Sequence, residues 1–290
     1  MKWVTKSSDK LARFLQNELS SYSGKGVRRL LSQNQCRVNG KIERFASRTI
    51  ERGDLVELSL SLQPRNQQFE IIFENEILKI INKPAGFVSS PQNTLRTFGP
   101  NLFLVHRLDV GTTGLLVLAK SPSMREQMMA LFQERKIRKS YLAIVDGSVQ
   151  KTSWTQESFF VKKGAYHGQT LWASNPYQGL HAITRFQRLA VGEQASLLLA
   201  EPLTGRTHQI RVHAAEMGHP ILVDPQYARR YRSSIPCSRP HLHAYGLQFT
   251  VGDEMLELKA PLPQDMKEVL IKASLEMGLP SQPFLDEGHH

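Results

Sequence analysis

The sequence predicts an α+β protein, with a mixed, mostly antiparallel sheet in its main body and a small α/β module at its N-terminus. Three observations predict this. Apolar runs of strand length recur through residues 69–280, with few helical stretches between them. Residues 1–62 instead show two helical repeats followed by a hairpin signal. Between the two lies "SLQPRNQQ", residues 61–68, which is polar, carries Pro64 and reads as a linker.

The module comes first in the chain. "DKLARFLQNEL" places Leu11, Phe14, Leu15 and Leu19 on one helical face. "GKGVRRLLSQNQ" reads as a second short helix with Lys25, Arg28 and Arg29 near its start. "CRVNGKI" alternates like a strand and turns at Asn39-Gly40, a hairpin signal followed by Lys41. "ERGDLVELSL" adds a turn and a strand. In the body, "FEIIFENEILKIINKPAGFVSS" reads as two strands around Glu74-Asn75, breaking into a loop at Pro84-Ala85-Gly86. "LLVLAK" is a buried strand, and "GTTG" before it a tight turn. "SPSMREQMMALFQERKI" is a helix capped by Ser121 or Ser123, with Met128, Leu131 and Phe132 facing inward. "KSYLAIVDG" and "ASLLLAEPL" are further strands, and "THQIRVHAAEMG" is a helix ending at Gly218.

Composition bounds the partners. The 290 residues are 40% hydrophobic and 22% charged, which suits a globular chain with a sizeable core. The formal net charge of +11 points to a polyanion, nucleic acid ahead of membrane. Residues 1–60 hold 12 Lys and Arg against 6 Asp and Glu, so more than half of the surplus sits in the module. Bases on a helix start and a turn form a phosphate-binding surface that positions RNA without reading its bases, though a solvated charged helix fits equally well. Cys36 and Cys237 lie far apart in no metal-like spacing, as expected of a reduced, cytoplasmic protein. No apolar run has the length of a membrane span, and "MKWVTKSSDK" has no signal-peptide core. The closing His289-His290 reads as the start of a tag and is left out of the chemistry.

Several chemistries lack their residues. His208, His213, His219, His241 and His243 are not spaced to converge on a metal, and structural roles suit them better. "GKGVRR" and "DVGTTGLL" lack the phosphate-loop pattern, and no Gly-x-Ser-x-Gly elbow occurs. One carboxylate does stand out. "LVHRLDVGTTGLLVLAK" sets His106, Arg107 and Asp109 between two apolar runs, before a glycine turn. Such a carboxylate sits at an opening of the fold, and a cation from "PLTGRTHQIRVH", Arg206 or Arg211, would favour its charged form. On spacing alone, a buried Asp–Arg pair that only orders the turn is a slightly better reading than a reactive acid.

Two resemblances sharpen the reading. The stretch from "LARFLQNEL" through "VRRLLSQNQCRVNGK" to "RTIERGDLVEL" resembles the alpha-L RNA-binding motif, and marks residues 1–62 as an RNA-binding domain. "HRLDVGTTGLLVLAK" resembles the signature of the RluA-type pseudouridine synthase family. "ILKIINKPAGFVSS", "FQERKIRKSYLAIVDG" and "LTGRTHQIRVHAAEMGHPILVDPQY" with "HLHAYGLQF" resemble further family motifs in the same order, over roughly residues 70–250. Thr113 stands where the family usually has serine and keeps the hydroxyl.

The resemblance implies a pseudouridine synthase fold over residues 69–280 and isomerisation of uridine within RNA, with no metal or organic cofactor. It implies that Asp109 is the catalytic aspartate, that Tyr141 packs against the target base and that Arg211 pairs with the aspartate. Arg107 would help displace the base from its helix, while Lys83, His106, Arg206, Lys25, Arg28, Arg29 and Lys41 would meet RNA. Ribosomal RNA is the expected substrate, with transfer RNA next; the protein is expected to be a cytoplasmic monomer with no membrane partner. A catalytically silent RNA-binding or assembly factor is the rival from another class, and the presence of Asp109, Tyr141 and Arg211 together argues against it. A metal-dependent RNA hydrolase is the third option.

Overall fold

The computed structural model describes residues 1–32, 36–58, 69–166, 169–228, 232–237, 239–278, 280 and 283–284; the linker expected at 61–68 lies outside them. The module is built from β1 (Lys2–Val4), β2 (Asp9–Lys10), α1 (Leu11–Glu18), α2 (Gly24–Ser32), β3 (Cys36–Val38), β4 (Lys41–Ile42), β5 (Thr49–Ile50) and β6 (Leu55–Leu58). Leu11, Leu15 and Leu19 are buried at the four-residue spacing of one helix face and meet Val27 and Leu31 of α2. Each buried leucine contributes about 1.5–3 kcal/mol. The expected hairpin forms with positive φ at Asn39 (51°) and Gly40 (77°), which suits this dipeptide. The sheet order β1-β6-β3-β4 closes a core of the module's own. Arg37 and Arg44 reach across to the carbonyls of Ser234 and Ser233 at 3.4 and 3.2 Å.

The body holds β7 (Glu70–Glu74), β8 (Leu78–Lys83), α3 (Pro91–Phe98), β9 (Phe103–Leu104), β10 (Thr113–Ala119), α4 (Pro122–Gln133) and β11 (Arg138–Asp146). Then come β12 (Ser153–Tyr166), β13 (Gln169–Asn175), β14 (Leu180–Val191), β15 (Ala195–Pro202), α5 (Gln209–Glu216), β16 (Leu242–Val251), β17 (Glu254–Lys259) and α6 (Gln264–Lys272). Its sheet runs β13-β12-β14-β15-β11-β16-β10-β8-β7, with β17 on β16 and β9 on β10. The pairings are antiparallel except β10 with β16, so the sheet is mixed and mostly antiparallel, as the sequence predicts. The α4 cap is Ser121, whose Oγ accepts from the Met124 amide. No helix among the described residues is long and apolar enough to cross a membrane.

Alternation along two strands covers both faces of the sheet. On β11, Leu142 and Ile144 pack with α6, while Ala143 and Val145 pack with Ile210 and Ala214 of α5. On β10, Leu115 and Val117 pack with Met128 of α4, while Leu116 and Leu118 pack with Phe87 and Leu108. Every residue of β10 is thus buried, which explains its unbroken apolar run. Tyr141 packs against both the α5 cluster and the Leu108 cluster, and so lies between them. A Cβ at Gly114 would collide with the Ala244 carbonyl, and its φ is 108°, so only glycine lets the parallel strands meet there.

Candidate active site

Asp109 occupies the loop between β9 and β10, and its side chain is 29% exposed. The Thr112 amide donates to the Asp109 carbonyl at 3.0 Å, closing the turn before β10. Two cations brace this turn from beneath. Lys83 is 0% exposed, and its Nζ donates to the carbonyls of Pro84, Phe87 and Val110 at 3.0–3.4 Å. Burial, reinforced by the charge of Arg239 and opposed by Asp109, brings its pKa down to about 7. Arg239 spends Nε and Nη2 on Asp265, at 2.6 and 2.9 Å, and donates from Nη1 to the Gly111, Pro240 and Leu242 carbonyls. The Pro240 carbonyl also accepts the Leu242 amide at 2.9 Å, so Arg239 adds a second donor there.

Arg211 on α5 reaches the same loop from above. Its Nη1 donates to Asp109 Oδ2 at 2.8 Å. Its Nε and Nη2 grip Asp224 at 2.6 and 2.9 Å, and Nη2 also donates to Gln226 Oε1 at 2.6 Å. Asp224 is 0% exposed, so the fork is fixed from behind before it meets Asp109. Burial alone would lower the Arg211 pKa, but the hydrogen bond and charge of Asp224, and then Asp109, hold it above the usual arginine value. The Tyr227 ring lies 5.0 Å from the guanidinium carbon.

Tyr141 sits on β11 directly opposite Ala200 of β15 and Ala244 of β16. The register shifts between Ser140 and Tyr141, a bulge that re-aims the side chain. Burial and then the Asp109 charge raise the phenol pKa, so the ring acts as a neutral surface. Asp109, Arg211 and Tyr141 therefore lie together, Arg211 bonded to Asp109 and Tyr141 within reach of the Asp109 charge.

The other expected residues divide. Arg107 is exposed at the rim; Lys25, Arg28 and Lys41 are exposed on the module, and the Arg29 side chain lies outside the described residues. Arg206 donates from Nε to the His181 carbonyl at 2.9 Å. Two expectations are corrected. Lys83 does not face RNA, because burial and three carbonyls hold its ammonium under the loop. His106, half-buried, accepts the Val117 amide on Nε2 at 3.1 Å and lies against Phe132, with burial, helped by Lys139, bringing its pKa down to about 3, so Nε2 is not free to meet RNA. Sequence reasoning missed Asp224, Gln226, Tyr227 and the facing of His208 toward Asp109. The signal for the first three was present in "VDPQY", whose proline stiffens a turn after a helix.

Residues 77–216 match the family model of RNA pseudouridylate synthases. The ribosomal large subunit pseudouridine synthase C of Vibrio cholerae is 31% identical over 92% of this chain and 93% of its own. Synthase D of Zymomonas mobilis is 31% identical over 71% of this chain and 73% of its own. The solved structure of human RNA pseudouridylate synthase domain containing 4 superposes with a TM-score of 0.59 at 25% identity, over 71% of this chain and 93% of that one. The chain belongs to the RNA pseudouridine synthase family. It is an RluA-type synthase, an isomerase that acts on uridine in RNA.

Proposed function

We propose that this chain converts a uridine of large-subunit ribosomal RNA to pseudouridine in the cytoplasm, with Asp109 as the reacting carboxylate. The observation that carries this is a partly exposed Asp109 ion-paired to an Arg211 that is itself fixed by buried Asp224, beside the Tyr141 ring. The names of the relatives from Vibrio cholerae and Zymomonas mobilis support the choice of RNA.

The roles follow from the geometry. The target base leaves its stack, at a cost of a few kcal/mol. Arg107, exposed at the rim, fills the space the base vacates. Tyr141 takes the extruded ring, and base–aromatic stacking returns roughly 1–3 kcal/mol of that cost. Asp109 then acts on the nucleoside as nucleophile or proton acceptor, with one oxygen held by Arg211. Residues 1–62 form the RNA-binding domain and 69–280 the catalytic domain. Lys25, Arg28, Arg29 and Lys41 follow phosphates on the first, and Arg206 on the second.

The test maps pseudouridine chemically in total RNA from cells with the gene, without it, and with Asp109→Asn. One large-subunit site should vanish in the last two. In vitro, Asp109→Asn should lower turnover by about 10⁴-fold or more while RNA binding persists. Turnover retained by that variant would remove Asp109 from its role.

A further inference from the structure

His208 stands at the start of α5 with φ 59°, in the left-handed region that few side chains favour. There its imidazole lies between two groups. Nε2 is 3.7 Å from Asp109 Oδ1, and Nδ1 is 2.7 Å from the Tyr227 hydroxyl. That hydroxyl accepts the backbone N–H of Trp172 on β13 at 3.3 Å. A phenol has a single proton to give. The Asp109 carboxylate, which can only accept, faces Nε2 and draws the ring proton to that nitrogen, which leaves Nδ1 to accept the Tyr227 proton. A ring that accepts on Nδ1 and is neutral carries its own proton on Nε2. The series then runs from the Trp172 amide to Tyr227, from Tyr227 to His208, and from His208 Nε2–H toward Asp109.

We propose that His208 is a positioning residue for Asp109, fixed as its Nε2–H tautomer by Tyr227, and that it closes onto Asp109 Oδ1 when RNA binds. Arg211 already holds Oδ2. A donor on each oxygen sets the plane of the carboxylate and so the direction in which it meets the nucleoside. At 3.7 Å the His208 contact is longer than a hydrogen bond, and such contacts tighten when substrate binds. The inference rests on the assignment of Asp109 as the reacting group.

The charged and titratable groups facing the ring are Asp109 and Arg107 from one loop, Arg211 from α5, and Asp224 and Tyr227 from the loop after it. Burial lowers the His208 pKa; Asp109 and Asp224 oppose this, and Arg211 and Arg107 reinforce it. The ring is therefore neutral near pH 7, where the choice of tautomer matters.

Tyr227→Phe tests the idea, because it keeps the ring beside Arg211 and removes only the hydroxyl. The neutral imidazole can then place its proton on Nδ1 and turn a lone pair toward Asp109. Protonation gives both nitrogens an N–H and restores the donor. Relative to wild type at each pH, kcat should fall about tenfold or more near pH 7.5, with unchanged RNA dissociation constant, and the deficit should shrink as acid protonates the ring, which burial places below the ordinary imidazole range. His208→Gln presents an amide donor with no tautomer. It should show no such recovery in acid, and adding Tyr227→Phe to it should cost nothing more. A Tyr227→Phe enzyme with normal kcat, a deficit independent of pH, or additive losses in the double variant would overturn the proposal. Each variant is accepted only with a wild-type thermal midpoint and RNA affinity. Asp109→Asn, assayed alongside, separates the two readings: turnover there sinks the assignment of Asp109, while a failed acid recovery with inactive Asp109→Asn sinks only the role of His208.

Discussion

The two parts of the molecule handle positive charge in opposite ways. In the N-terminal module, Lys25, Arg28 and Lys41 are exposed and have no side-chain partner among the described residues. In the body, Lys83, Arg211 and Arg239 are buried, and each donor is matched to carbonyls or carboxylates. The first arrangement offers charge to a ligand. The second uses charge to hold one loop and one acid still. An exposed cation contributes little to folding, whereas a buried one cannot lose its partner cheaply. Mutational effects on stability and on RNA binding should therefore separate along the chain.

The largest expected effect on stability lies at the best-matched interior cation. Arg211→Met leaves Asp224 charged, buried and missing its fork. Breaking such a pair costs about 3–5 kcal/mol, a fall of about 10 °C in Tm for a domain of this size. Turnover should vanish as well, since Asp109 loses its partner. Arg211→Lys keeps the charge but not the planar fork, and should recover part of the stability and little of the activity. Thermal unfolding of the purified variants measures this. A Tm within a degree of wild type would erase the contrast between the two parts.

Acid should open the body before the module. His213, His241 and His243 are buried, and burial brings their pKa values down to about 4, 3 and 4. Each is neutral when folded, while the unfolded chain takes up protons below about pH 6.5. Their stability is therefore present above that value and lost as pH falls from about 6.5 toward about 4. Residues 1–60 contain no histidine. Amide hydrogen exchange of the intact protein, corrected for intrinsic rates at about pH 7.5 and about pH 5, should show lost protection in the body only. Equal loss in α1 and α2 would contradict this.

The same division explains what the sequence made legible. In the module, the two helices, the hairpin and β6 could be read, because local signals built them: an apolar face at Leu11, Leu15 and Leu19, and the turn at Asn39-Gly40; the short strands β1, β2 and β5 were not assigned. In the body, β10, α4 and α5 were legible for the same reason, but β12, β13 and β14 were not assigned. Phe159 and Phe160 of β12 are followed by Lys162 and Lys163, and the register slips between Lys162 and Gly164, so no clean alternation survives. In the site, the residue pattern singled out Asp109 and offered Arg206 or Arg211 as its cation, and family resemblance added Tyr141 and chose Arg211. It did not show that Lys83 turns inward, because a lysine reads as exposed until its three carbonyls, from Pro84, Phe87 and the distant Val110, are brought around it. Nor did it show Asp224 behind Arg211, since that pair closes only when the chain after α5 folds back.

Removing residues 1–62 sharpens the comparison from the RNA side. The remaining chain should bind RNA less tightly, and the slope of log affinity against log salt should flatten by several units, because each phosphate contact on duplex nucleic acid contributes about 0.9 to that slope. Single-turnover chemistry at saturating RNA should change far less than affinity. Binding curves across a salt series decide the matter, and curves unchanged by the deletion would leave the exposed cations without a ligand.

The smallest effect is the most discriminating. Lys25→Gln and Arg28→Gln each delete an exposed charge with no side-chain hydrogen bond or ion pair among the described residues. Folding stability should move by no more than about 0.5 kcal/mol. Each substitution should flatten the salt slope by about 1 and weaken binding to all RNA sequences alike, since a phosphate contact carries no base information. Losses that depend on sequence would make these residues readers of bases rather than anchors on the backbone. A change in Tm comparable to that of Arg211→Met would mean that the module, too, spends its cations on its own fold. Fluorescence anisotropy with two unrelated RNA hairpins and one melting curve per variant separates these outcomes.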